Sequence, residues 1–72
     1  MRTFKVEVIS GTVVVSSSTV EAALPFKAAE RHAQKPVTLR RKENEWIRVT
    51  ELNGEHRMFA YTVRHSAQPS SS

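Results

Sequence analysis

Between Thr3 and Ile9 the side chains alternate, with Phe4, Val6 and Val8 directed one way and Thr3, Lys5 and Glu7 the other. This two-residue period fits a strand with one face in a core and one in solvent, and it excludes a helix over the same residues. Similar β-rich runs recur along the chain, and only one segment carries a helical period. That pattern restricts the fold to a small sheet with a single helix laid on it.

Ser10-Gly11 signals a turn, and 12–17 (TVVVSS) predicts a second strand from its β-branched residues. A two-residue loop would pair Val8 with Val13 and Val6 with Val15, bringing the apolar faces together. Helical spacing follows. Ser18 with Glu21 matches a capping box, Val20, Leu24 and Ala28 share one helix face, and Ala22, Phe26, Ala29 and Ala33 share the next. Pro25 is unfavourable inside a helix and well placed at its first position, so the main helix is expected over 25–34, closed by Pro36.

Three more strands are predicted at 37–41, 45–52 and 55–65. A three-residue loop at Leu52-Asn53-Gly54, with Gly54 left-handed, aligns Ile47 and Val49 with Phe59, Tyr61 and Val63. A matching loop at 42–44 (KEN) aligns Val37 and Leu39 with Ile47 and Val49. The expected fold is α+β, a two-layer sandwich in ββαβββ order, its last three strands a meander and its second sheet face open. The expected core is Phe4, Val6, Val8, Val13, Val15, Leu24, Phe26, Ala29, Val37, Leu39, Ile47, Val49, Phe59, Tyr61 and Val63. One domain spans 1–65, and the Ser-rich 66–72 reads as a disordered tail.

So small a domain buries only ~60% of its unfolded surface, which leaves its stability marginal. Without cysteine it has neither disulfides nor thiolate chemistry. No signal-peptide pattern or long apolar run is present, so the expected location is cytoplasmic and no membrane partner is expected. His32, His56 and His65 match no metal-ligand spacing. With two glycines the chain has no phosphate-binding glycine loop and no nucleophile elbow. A single helix on a small sheet is expected to leave no deep pocket of ~300 Å³ or more. The expectation is therefore a non-enzymatic protein with no cofactor, metal or small-molecule substrate.

The chain has eleven Lys and Arg against seven Glu and no Asp. A net charge of this size serves solubility, but its arrangement suggests more. The open face collects Lys5, Thr38, Arg40, Trp46, Arg48, Thr50, Met58, Thr62 and Arg64, with Arg40 across from Trp46 as a cation–π pair. Trp, Met and Arg are enriched at interfaces. The candidate binding residues are Arg40, Arg41, Lys42, Trp46, Arg48, Met58 and Arg64. They suit a nucleic acid, whose phosphates and bases arginine and an exposed aromatic can hold. They also suit an acidic protein surface, as in a small bacterial or phage-type inhibitor or adaptor anchored by Trp46, Met58 and Arg48, or a homodimer.

Overall fold

The computed structural model describes residues 1–64. Five strands and one helix follow in the order β1 (Arg2–Ser10), β2 (Val13–Ala22), α1 (Pro25–Ala33), β3 (Val37–Leu39), β4 (Glu45–Glu51) and β5 (Met58–Val63). The strands form one antiparallel sheet in the order β2-β1-β4-β5-β3. The fold is thus α+β, with ββαβββ order and one helix on one sheet. No helix among the described residues is long and apolar enough to cross a membrane. His65 and the tail expected over 66–72 lie outside the described residues.

The alternation read in the sequence sets the faces of β1, β4 and β5. Phe4, Val6, Ile47, Val49 and Tyr61 are buried under α1, with Val8, Phe59 and Val63 partly buried beside them. Phe4, Val6 and Val49 have no exposed surface, and their burial removes the most apolar area per residue from water. The helix brings Ala28 and Ala29, and Ala22 of β2 joins them. These small side chains let the helix lie close to the large residues of the sheet.

Pro25 occupies the first turn of α1, where its missing N–H costs nothing, after an extended Leu24. The helix ends in a left-handed Gln34 (φ 57°), whose N–H donates to the Glu30 carbonyl at 2.7 Å. The capping box expected at Ser18 and Glu21 does not form. Those residues belong to β2, which runs five residues beyond the expected end of the strand. Leu24 and Phe26, placed in the core by helical spacing, are exposed. A helix beginning only at Pro25 turns Ala28 and Ala29 inward and leaves Phe26 at the rim beside Lys27, whose ammonium is 5.3 Å from its ring.

Two strand pairings also differ from expectation. In the β1–β2 hairpin Val6 faces Ser18 and Val8 faces Ser16, while Ile9 faces Val14, so Val15 is an extra residue in a bulge. Val13 and Val15 are therefore 61% and 59% exposed rather than core. The last three strands are not a meander in chain order. β3 pairs with β5, Val37 opposite Val63 and Leu39 opposite Tyr61, so β5 lies between β3 and β4. The loop expected at 42–44 is instead part of a crossing segment, 40–44. Leu39 sits on the sheet edge and is 69% exposed.

The β4–β5 hairpin keeps the expected faces with a register two residues further along. Ile47 faces Tyr61 and Val49 faces Phe59. The loop is longer than three residues: Glu51 N–H donates to the Arg57 carbonyl at 2.8 Å, and Gly54 and His56 are left-handed, at φ 70° and 57°. A shift of two keeps every side chain on its own side, so the faces survive the change of register.

Candidate functional site

The second sheet face, turned away from α1, is ordered by the β1–β4 register. Lys5 faces Thr50, Glu7 faces Arg48 and Ile9 faces Trp46. Glu7 and Arg48 form an ion pair with the Arg48 Nε–H donating to Glu7 Oε1 at 2.9 Å, and Lys5 Nζ lies 3.8 Å from Glu7 Oε2. Glu7 is buried. The hydrogen bond from Arg48, more than burial opposes it, holds the Glu7 carboxyl below the usual carboxylate range, and the same bond raises the Arg48 guanidinium. Arg48 is thus neutralised where it lies. Glu7 was legible only as a polar residue of the first strand, because its effect depends on β1 lying beside β4.

The segment 40–44 carries the chain from one flank of β5 to the other. Arg40 N–H donates to the Ala60 carbonyl at 3.1 Å. Beyond the segment, Thr62 Oγ1–H donates to the Glu45 carbonyl at 3.2 Å, and Thr62 is buried. Ile9 is buried on the same face, so this face is only partly open. The Arg40 guanidinium lies 4.3 Å from the centre of the Trp46 ring, the expected cation–π pair, and its Nε–H donates to the Glu43 carbonyl at 3.0 Å.

The loop's own acid is turned onto its backbone. Glu43 Oε1 accepts the Arg41 N–H at 2.7 Å, and this bond, with the neighbouring amides, lowers the Glu43 carboxyl. Asn44 is anchored across the sheet, its carbonyl accepting the Gly11 N–H at 2.8 Å. Gly11 takes φ 64° in the hairpin turn, a conformation open to glycine at little cost. So the loop is braced at both ends while Arg41 and Lys42 stand in solvent.

The other candidates divide. Arg64 joins the loop's end of the sheet, since its N–H donates to the Pro36 carbonyl at 2.8 Å beside Lys35. A cleft of about 370 Å³ opens at that end, with Val8, Ile47 and Val63 in its walls and Lys35, Glu45 and Trp46 around it. The cleft exceeds the volume expected from the sequence but is half open to solvent rather than deep, and His32 and Ala33 at the end of the nine-residue helix line it. Met58 faces Thr50, four residues along β4 from Trp46, and does not join the cluster. Lys35, just beyond the helix expected over 25–34, was not among the candidates, yet it lines the same cleft as Trp46.

Sequence reasoning also missed His32. Its Nδ1 shares a hydrogen bond with Ser18 Oγ at 2.8 Å and its Nε2 with Ser16 Oγ at 3.2 Å, which ties the last turn of α1 to β2. Helical spacing alone could not reveal this, because Ser18 was assigned to the helix start and the expected strand ended at residue 17, before the part of β2 that runs beneath α1. Among the described residues no three potential metal ligands cluster.

Charge is concentrated at this end. Lys35, Arg40, Arg41, Lys42 and Arg64, set against Glu43 and Glu45, account for three of the chain's four net positive charges. Elsewhere Arg2 pairs with Glu51, Lys27 with Glu30 and Arg57 with Glu55. Among the described residues Lys35, Arg41, Lys42 and Arg64 form no ion pair. Searches against protein-family models, curated proteins and solved structures find no match for this chain.

Proposed function

We propose that the chain is a non-enzymatic binding module that holds nucleic acid by its phosphates, at the basic end formed by the 40–44 loop, Lys35 and Arg64. The observation that carries this reading is the concentration of charge: cations without carboxylate partners gather at one end, while those elsewhere are largely paired. Such a cluster attracts polyanions over several ångströms and releases their counterions on contact. Arg41 and Lys42 extend from a braced backbone, so the ordering cost of the contact falls on their side chains and not on the loop. Phosphate contact carries more of the reading than base stacking, because Arg40 already lies over the Trp46 ring.

Trp46 is the single tryptophan and reports on this end. A titration with single-stranded and duplex oligonucleotides at low salt is expected to change its fluorescence and to give a gel shift that weakens as salt rises. Unchanged fluorescence with no shift for either oligonucleotide rejects the proposal.

A second reading is favoured by Leu39, exposed immediately before the basic run. An apolar anchor rimmed by arginines also fits an acidic protein surface. Binding of that kind would be lost with Leu39→Ala and respond less to salt, whereas phosphate binding would survive Leu39→Ala.

A further inference from the structure

The two edges of the sheet are treated differently. β3 is three residues long and runs directly into Arg40, Arg41 and Lys42, so brevity and charge blunt that edge. β2 is ten residues long, and Thr12 to Val20 contains no charged residue and no proline. Val13, Val14 and Val15 are exposed there. A bulge at Val15 interrupts it near the hairpin tip.

The direction of the backbone groups follows from β1. Thr3 turns its amide groups toward β4: its carbonyl accepts Leu52 N–H at 2.9 Å and its N–H donates to Asn53 Oδ1 at 2.9 Å. Antiparallel ladders alternate, so Phe4, Val6 and Val8 bond across to Val20, Ser18 and Ser16. The N–H and C=O groups of Ser17, Thr19 and Glu21 then point out from the edge. An independent contact agrees, since the Glu21 carbonyl accepts Arg31 Nη1–H at 3.0 Å. That side chain closes one end of the edge and leaves Ser17 and Thr19 as the outward pair.

We infer that β2 is a self-pairing edge, and that its occupant is β2 of a second copy, joined antiparallel about a two-fold axis near Ser17–Thr19. An isologous contact needs a strand that is its own complement. This one qualifies because a run without charge meets itself without repulsion, and its Ser and Thr side chains can hydrogen-bond across the junction. The nearest ionised groups include both signs, Lys5 beside Glu7 on one face and Arg31 beside Glu21 at one end. The basic end lies toward the opposite edge of the sheet. Joining through β2 makes a ten-stranded sheet and puts the two β3 edges nine strand spacings apart, roughly 43 Å at ~4.8 Å each. The contact is distinct from the basic end and does not depend on what that end binds.

Sedimentation equilibrium over a concentration series tests the inference. The wild-type chain is expected to approach twice its 8.1 kDa mass as concentration rises. Thr19→Lys and Ser17→Lys, each placing like charges across the axis, are expected to hold the mass at 8.1 kDa with an unchanged circular-dichroism spectrum. Hydrogen exchange on the wild type gives a reading that needs no variant: the Ser17 and Thr19 amides are expected to slow as concentration rises. A wild-type mass fixed at 8.1 kDa, a dimer that survives both folded variants, or fast exchange of those two amides at every concentration overturns the inference.

Discussion

Glu7 shows how one buried carboxylate links stability to pH. Its carboxyl is held low by Arg48, so the folded chain binds its proton less tightly than the unfolded chain does. The stabilisation is complete above the unfolded carboxylate value of ~4.3 and is lost as pH falls through the lower folded value. Denaturant titrations from neutral pH downward are expected to show the wild type weakening below about pH 5 and Glu7→Gln weakening less steeply over the same range. Equal acid slopes for the two proteins would show that the Glu7–Arg48 pair does not contribute to acid stability. Packing gives a second contrast. Phe4 is fully buried, so Phe4→Ala is expected to cost about 3–5 kcal/mol, a large share of the stability of so short a chain. Trp46 is half-buried beneath Arg40, and Trp46→Ala is expected to cost less. Urea melts of the two variants check the order.

At the scale of elements, local conformation and long-range contact act separately. Gly54 has φ 70°, and a Cβ built there meets nothing within 4 Å. Gly54→Ala is therefore expected to lose about 1–2 kcal/mol from backbone strain alone, measurable as a lower denaturation midpoint with unchanged binding. The same distinction explains what the sequence made legible. Alternation assigned the inward faces of β1, β4 and β5 correctly, because any register shift of two preserves them. It could not choose neighbours: β3 presents the same alternation to β4 as to β5, and its place was set by contacts distant in sequence, such as Arg64 with Pro36 and Arg40 with Ala60. Ser18 and Glu21 fit a helix start equally well as a continued strand, and the strand won because it extends a ladder with β1. The Arg40–Trp46 pair was legible, whereas the neutralising Glu7 and the nearby Lys35 were not, since each reaches the site from an element whose position the local pattern leaves open.

For the whole molecule, charge and edge are largely separated: among the described residues, most cations without carboxylate partners gather toward β3, and the charge-free run Thr12 to Val20 lies along the β2 edge, with Arg31 at its far end. If the basic end holds phosphates, its contribution is read from the salt dependence of binding rather than from affinity at one salt concentration. On duplex DNA each phosphate contact contributes about 0.9 to the slope of log affinity against log salt. Arg48, held by Glu7, is expected to contribute little, so Arg48→Ala should leave the slope near that of the wild type. The most direct measurement is that slope for the wild type and for the Arg41→Ala/Lys42→Ala double variant, followed through Trp46 fluorescence. The proposal predicts a salt-sensitive wild type and a slope shallower by about 1.8 in the double variant. An affinity indifferent to salt, or a slope that the double variant leaves unchanged, would contradict it.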